Sequence, residues 1–399
     1  MTEHQADNAP NKKDNILKVA SLFSGCGGMD LGFIGGISHL GVYYEHLPYQ
    51  VVWANDIDKD AVSTYKANQK YFGTGHYVAG DIFDQDPHSV PCFDVLIAGF
   101  PCQPFSNAGK RLGIKDERGT LFQELIKFLK AKKPKAFVLE NVKGILSTKM
   151  ADGTPVTEEI RKNLGNFVCD SGEEVSYIIP PAKLLKSNDY GVPQQRQRVF
   201  IIGTRKDIKT EEFDFEILKN FVKTASMERR ALRAVLSDLS PDLPDANTTW
   251  HLSPQAANLV PMIKRSWKDI PYDLLPPRFQ RIRDQSKRYR SPNFYRRFAL
   301  EEINGTITAA AQPENCGIIH PEENRRFTVR EIARIQSLPD YFIFNATTVA
   351  GKYRLIGNAV PPVMAWVIAS ALYCHIANDN PSDSKNSSCE ESQALTGVK

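Results

Sequence analysis

The sequence predicts an α/β protein built on a mostly parallel sheet, with a smaller and less regular region in its later half. Three observations carry this. Short apolar, β-branched runs recur at 19–23, 50–55, 93–98 and 136–139, as in strands buried on both faces. Loops bearing glycine, proline or polar residues follow them, and apolar residues at helical spacing come next. From about residue 204 this alternation stops, and prolines and aromatic residues rise.

The chain has 399 residues, 42% hydrophobic and 24% charged, enough to bury the cores of two or three domains. No apolar run reaches about 18 residues, so no membrane helix is expected. Residues 1–15 are polar, lack the apolar segment of a secretory signal, and read as a disordered arm. Residues 379–399, rich in Ser, Asn and acids, read as a disordered tail. Seven scattered cysteines without CxxC spacing suit a reducing cytoplasm, not a disulfide scaffold or zinc ribbon, and no metal is expected. The net charge of +4 says little about nucleic acid.

The first strand, 19–23, leads into Ser24-Gly25-Cys26-Gly27-Gly28 and a helix start at 29–33. Glycines let a backbone approach a ligand closely, although an ordinary strand–helix turn uses them too. The second strand ends in Asp56. An acid there accepts both hydroxyls of an adenosine ribose, or caps the helix expected over 59–68. An aromatic insertion at 35–49 stretches the usual spacing of ~20 residues between glycine loop and acid. A short third strand near 77–78 leads to Gly80-Asp81-Ile82. The glycine loop lacks a Lys-Ser/Thr ending, which disfavours a nucleoside triphosphate.

The run at 93–98 enters Gly99-Phe100-Pro101-Cys102-Gln103-Pro104-Phe105-Ser106. This puts a thiol at the carboxyl end of a strand, on a loop stiffened by two prolines. A small buried residue is the bland alternative for such a cysteine. After a helix from 120 to about 130, the strand at 136–139 ends in Glu140-Asn141-Val142. A polar surface helix falls within 150–170, and strands are expected at 176–185 and 198–203. Gln194-Gln195-Arg196-Gln197 precedes the last of these. In extended chain Arg196 and Arg198 share a side. A thiol, a carboxyl and arginines at strand ends supply a nucleophile, an acid and an anchor.

Residues 264–297 hold eleven Lys or Arg against three Asp, a local net of +8. Trp267, Tyr272, Phe279, Tyr289, Phe294 and Tyr295 are interleaved. That mixture suits phosphate binding plus stacking on exposed bases, and a solvated face has the same composition. Thr328 and Glu331 stand in capping-box position at a helix start. Gly357-Asn358-Ala359-Val360-Pro361-Pro362 opens a last apolar helix over 363–377.

Pro101-Cys102-Gln103, Glu140-Asn141-Val142 and Gln194-x-Arg196-x-Arg198, in this order, resemble the motifs of the DNA (cytosine-5) methyltransferases. The resemblance runs from about Val19 to about Ile368, broken by a long middle segment. It implies a Rossmann-like methyltransferase fold with a mostly parallel seven-stranded sheet. The catalytic domain would be 16–204 plus 350–378, and 205–349 a smaller, irregular target-recognition domain. It implies S-adenosylmethionine as cofactor and S-adenosylhomocysteine as product. Phe23, Gly25, Gly27, Gly28, Leu31, Pro101, Asn358 and Val360 would hold the cofactor, with Asp56 on the ribose, Ile57 against the adenine, and Asp81 and Ile82 beside it. The family often has Glu where Asp56 stands. Asp is one methylene shorter but still accepts the ribose hydroxyls.

The resemblance assigns catalysis to Cys102, Glu140 and Arg198. It assigns DNA contacts to Gln103, Ser106, Asn141, Gln194, Arg196, Thr306 and Ile307, and a loop closing over DNA to 110–119. The Cys102 thiolate would add at C6 of a cytosine flipped out of double-stranded DNA, Glu140 would supply a proton at N3, and C5 would be methylated. A short single chain of this kind resembles a monomeric, cytoplasmic prokaryotic modification enzyme. Its genetic partner would be a cognate restriction endonuclease. An RNA (tRNA) cytosine-5 methyltransferase and a sequence-specific DNA-binding regulator are the alternatives. A nicotinamide-dependent oxidoreductase gives no joint role to Cys102, Glu140 and the arginines.

Overall fold

The computed structural model describes residues 16–73, 75–100, 120–150, 152–223, 226–285 and 292–377. The expected arm 1–15, the loop 110–119, Tyr289 and the tail 379–399 lie outside them. The strands are β1 (Leu17–Leu22), β2 (Ile37–His39), β3 (Val42–Tyr44), β4 (Tyr49–Asp56), β5 (His76–Ala79), β6 (Val95–Ala98) and β7 (Ala136–Val142). They continue with β8 (Asn166–Val168), β9 (Glu174–Ile178), β10 (Lys183–Lys186), β11 (Gln194–Gln195), β12 (Gln197–Arg205) and β13 (Asn304–Gly305). The insertion after the first helix is the β2–β3 hairpin.

The main sheet runs β5-β4-β1-β6-β7-β12-β9-β8, with β10 beside β12. From β5 to β7 all neighbours are parallel, and β12 runs antiparallel to β7. The chain winds outward from β1 toward β5, then crosses to β6 and winds the other way. The carboxyl ends of β1 and β6 therefore flank the switch point where open α/β sheets bind ligands. The sheet has nine strands where seven were expected. Pro180 and Pro181 cannot donate to a ladder, so the run at 176–185 splits into β9 and β10, which share one edge of β12. The three-residue β8 adds an outer edge.

Alternate residues of the central strands feed two cores. Val19, Val95 and Ile97 join one cluster; Ala20, Leu22, Leu96 and Ala98 join the other. The first cluster is completed by the Gly28–Ile34 and Pro362–Ala377 helices. The stretch Val349–Ala377 has the length and apolarity of a membrane span, but 94% of its most apolar window is buried inside the fold. It is a core element.

The region 205–349 does not share one core. Phe327, Val329, Ile332, Ile335, Leu338, Phe342 and Phe344 join the first cluster. A separate cluster gathers Ala256, Leu259, Ile263, Trp267, Phe279, Phe294, Tyr295 and Ile319. This corrects the expectation of a base-stacking surface: Trp267, Phe279, Phe294 and Tyr295 are buried against one another, and only Tyr272 of the described aromatics there is exposed, at 46%. Arg297 is buried as well and donates to the carbonyls of Val260, Ile263, His320 and Glu323. The exposed cations Arg278, Arg281 and Arg283 lie on the Pro277–Asp284 helix.

The Val329–Ile335 helix carries the expected capping box: Glu331 N–H donates to Thr328 Oγ1 at 3.2 Å, and Thr328 N–H to the Glu331 carboxylate at 2.6 Å. Inside it Arg330 is fully buried and donates to the carbonyls of Pro244, Pro339 and Phe342. A lysine ammonium is a point donor on a different reach and cannot copy this fork. Arg330→Lys should leave at least one carbonyl unpaired, costing ~1–3 kcal/mol. The urea midpoint should fall with an unchanged m-value. An unaltered midpoint would show that these three bonds add nothing to stability.

Candidate active site

Six segments of the chain converge on one cavity of about 380 Å³ at the switch point. The glycine loop after β1 gives Phe23, Gly25 and Gly28. The end of β4 gives Asp56 and Ile57, and the end of β6 gives Gly99 and Phe100. Glu140 and Asn141 end β7, and Arg198 begins β12. Asn358 and Val360 come from the chain's return.

At one end the residues suit a nucleoside. Asp56 accepts from Gly25 N–H at 2.7 Å and from Asp58 N–H at 2.8 Å, one bond on each carboxylate oxygen. Each oxygen keeps a lone pair for a ribose hydroxyl. Burial raises the pKa of Asp56 above the usual carboxylate range. The helix cap considered for Asp56 belongs instead to Asp58, which accepts from Asp60 N–H at 3.0 Å. Ile57 is 66% exposed and offers an apolar face. Phe23 is held at φ +54°, a region non-glycine residues rarely occupy. The loop is supported from behind: Tyr77 O–H donates to Gly25 O, and Tyr77, Tyr65 and Phe72 stack at centroid spacings of 4.1 and 3.9 Å. These donors, acceptors and apolar faces fit an adenosyl cofactor.

At the other end, the Arg198 guanidinium donates to Glu140 at 2.8 Å, with side-chain exposures of 15% and 11%. Burial lowers the pKa of Arg198, and the Glu140 charge opposes that shift. A Cβ built on Gly99 would lie 3.5 Å from Glu140 Oε2, so the carboxylate lies over the backbone leading to residue 101. Pro101, Cys102, Gln103 and Ser106 lie outside the described residues.

Four other expected cofactor residues have structural surroundings of their own. Gly27 packs under the rings of Phe72 and Tyr65; Leu31 is buried; Ile82 is in the second core; Asp81 caps a short 3-10 turn through Phe83 N–H. None of these four lines the cavity. Asn141 is 3% exposed and donates to Phe100 O at 3.0 Å, tethering the approach to the cysteine segment. Gln194, Arg196 and Ile307 are at most 1% exposed and are hydrogen-bonded to one another, so their side chains are packed inside the fold. Arg196 sits at the break between β11 and β12 and donates to the carbonyls of Ile307 and Gly357, both at 2.9 Å. Thr306 is half-buried and donates to Gln195 O at 2.6 Å.

One cavity residue escaped sequence reasoning. Asp30 is fully buried beneath the glycine loop, accepting from Ser21 O–H at 3.0 Å and Tyr65 O–H at 3.2 Å. A lone acid in the apolar run Met29-Asp30-Leu31-Gly32-Phe33 was the available signal.

A cavity at the switch point of this sheet, with a ribose-type acceptor at one end and an acid–arginine pair at the other, has the form of a Rossmann-like S-adenosylmethionine-dependent methyltransferase. The chain belongs to the C-5 cytosine-specific DNA methylase family, whose model matches residues 17–374. It is a DNA (cytosine-5)-methyltransferase that uses S-adenosylmethionine. It is 32% identical over 372 residues to the type II methyltransferase M.Eco47II of Escherichia coli, covering 90% of this chain and 79% of that protein. It is 33% identical over 386 residues to M.NgoPII of Neisseria gonorrhoeae, covering 90% and 96%. The Dnmt2 methyltransferase of S. pombe shares the fold with a TM-score of 0.59 at 18% identity, over 90% of this chain and 99% of that one.

Burial pushes the Asp30 carboxyl up to about 7, and bonds from Ser21 and Tyr65 oppose the shift. An unfolded Asp titrates near ~3.9. A carboxyl raised by folding contributes stability in its protonated form, in full below ~3.9, and loses it as pH rises through its folded value. Asp30→Asn keeps the shape without the charge. Between pH 5 and pH 8 its urea midpoint should fall less than that of the wild type. Equal falls would show that Asp30 carries no buried charge at pH 8.

Proposed function

We propose that Cys102, Glu140 and Arg198 carry the cytosine chemistry, in a type II modification enzyme that protects DNA from a companion restriction endonuclease. The observation that carries the chemical part is the Glu140–Arg198 pair at 2.8 Å, in the same cavity as the Asp56 acceptor. The relatives named as type II methyltransferases support the biological part. The endonuclease is a genetic partner. The enzyme acts as a monomer in a prokaryotic cytoplasm.

Cytosine C5 is a poor nucleophile until a group adds at C6 and turns the ring into an enamine. Cys102 is that group. A free thiol is only a few per cent ionised at neutral pH, and the guanidinium of Arg198 favours the thiolate. Glu140, oriented by Arg198, holds the exocyclic amine and delivers a proton to N3 as negative charge builds on the ring. Asp56, Phe23, Gly25, Gly28, Ile57, Asn358 and Val360 hold S-adenosylmethionine, which supplies an electrophilic methyl group when bound. Loss of the C5 proton and of the Cys102 thiolate, with the N3 proton returned to Glu140, restores the neutral aromatic ring. A stacked base cannot reach these groups, so the cytosine leaves the duplex at a cost of a few kcal/mol. Residues 205–349 act as the target-recognition region. The exposed Arg278 and Arg281 support this, since such cations match phosphates.

Duplex DNA with 5-fluorocytosine at the target should trap a covalent adduct at Cys102, because fluorine does not leave as a proton does. Cys102→Ala should abolish it. Burial pushes the Cys26 and Cys316 thiols up to about 12 and about 11, so neither should react. An adduct on either would overturn the assignment. Glu140→Gln keeps an acceptor for Arg198 but holds no acid proton. Turnover should fall by ~10²–10⁴ with duplex affinity retained. Wild-type turnover in that variant would remove Glu140 from the chemistry.

A further inference from the structure

We propose that Gln336 and Arg196 are positioning residues that brace the cofactor-binding loop 357–360 against the segment 306–309, so that bound DNA tightens cofactor binding. The proposal rests on reading 205–349 as the DNA-recognition region.

Asn358, Ala359 and Val360 form one wall of the cofactor cavity. The carbonyls flanking Asn358 are held from outside the loop. Arg196 Nη2 donates to Gly357 O at 2.9 Å, and Gln336 Nε2 donates to Ala359 O. The same two side chains reach the other segment. Arg196 Nη1 donates to Ile307 O at 2.9 Å. Gln336 Oε1 accepts from Gln194 Nε2, and Gln194 Oε1 accepts from Ile307 N–H at 3.0 Å. Gln194, Arg196 and Gln336 are all at most 1% exposed. Ser337, next to Gln336, holds the loop's far end by accepting from Val363 N–H at 3.2 Å.

Backbone contacts run parallel to these bonds. A Cβ on Gly357 would lie 2.4 Å from the Thr308 carbonyl carbon, and one on Gly28 would lie 2.5 Å from Val360 O. The 308–309 backbone, the cofactor loop and the glycine loop thus touch in series with no side chain between them. Close-packed groups of this kind move together or not at all. A shift of 306–309 on DNA therefore repositions Asn358 and Val360. Arg196 Nε has no hydrogen-bond partner, so the guanidinium bridges the two segments without satisfying all its donors. Breaking a network that serves stability alone would lower the melting temperature and leave the interplay of the two ligands untouched. A bracing network sets that interplay, which by linkage is equal in both directions.

The test titrates S-adenosylhomocysteine into the full-length enzyme with and without a duplex carrying the methylated site, mapped beforehand by bisulfite sequencing. Wild-type enzyme should bind it at least ~5-fold more tightly on the duplex, within the usual range of coupling between sites. Gln336→Met keeps the volume and removes the polar contacts. It should erase the enhancement while duplex affinity without cofactor and the site methylated stay unchanged. Gly357→Ala leaves the hydrogen-bonding side chains in place and forces 308–309 away; it should erase the enhancement too, and it serves if Gln336→Met does not fold. Wild-type enhancement in a folded variant, or none in the wild type, overturns the proposal. Arg278→Ala combined with Arg281→Ala tests the recognition reading by itself: unchanged duplex affinity would remove those cations from DNA binding, whatever the cofactor titration shows.

Discussion

Arg198 meets Glu140 because β12 runs antiparallel to β7, and much of the site depends on that one pairing. Arg198 lies opposite Val142, and Phe200 opposite Glu140. The charged partners are therefore diagonal neighbours on one face, within reach of long side chains. A register slip of one residue would send Arg198 to the other face and leave the carboxylate alone. Removing one partner from a buried ion pair typically costs ~3–5 kcal/mol, whereas keeping the pair adds little net stability. The pair is best understood as holding a carboxylate in one orientation at the end of the cavity. The register that aligns it is fixed by the apolar residues Val199, Phe200, Ile201 and Ile202, which face two different cores.

What was legible in the sequence follows from the same physics. β1, β4, β6 and the start of β7 are buried on both faces, so continuous apolar runs marked them. The Val329–Ile335 helix announced itself by its capping box, and the Lys59–Ala67 helix lies where it was expected although its cap is Asp58 and not Asp56. Glu140 and Arg198 stood at strand ends and came together as their positions required. Burial inside the 256–295 region was not legible. Trp267 lies in a short 3-10 turn, Phe279 on the Pro277–Asp284 helix and Phe294 and Tyr295 in turns, so no one period links them, and composition cannot tell a packed ring from a waiting one. Arg196 misled for a different reason. An arginine at a strand end suggests an anchor for an outside group, and here the guanidinium is buried and spent on the backbone carbonyls of Ile307 and Gly357.

The cofactor end shows how much electrostatic cost the fold accepts near the ligand. Asp30 and Asp56 are both displaced upward by burial, and each worsens the position of Cys26. Hydroxyls hold Asp30, and backbone N–H groups hold Asp56. Arg354 does stand nearby, but it is bound to Asp58 and Asp60 at the cap of the next helix. Acceptors kept clear of salt bridges retain lone pairs for a sugar, whereas a paired carboxylate would have to break an ion pair first.

That arginine also shows how the region 205–349 can vary without disturbing the sheet. The chain leaves the sheet at the end of β12 and returns through Phe327, whose carbonyl accepts from Tyr353 O–H inside the main core. Arg354 then fastens the returning helix to Asp58 and Asp60, and Asn345 and Thr347 bond Ser63, Thr64 and Asp60 on the same helix. Both ends of the inserted region are thus anchored in the sheet's own core, independently of the small cluster that holds 256–295 together. Side chains on the outside of that cluster are free to change without disturbing either anchor. The segments that cannot drift are those that touch the cavity wall, above all 306–309, because no side chain separates them from Gly357.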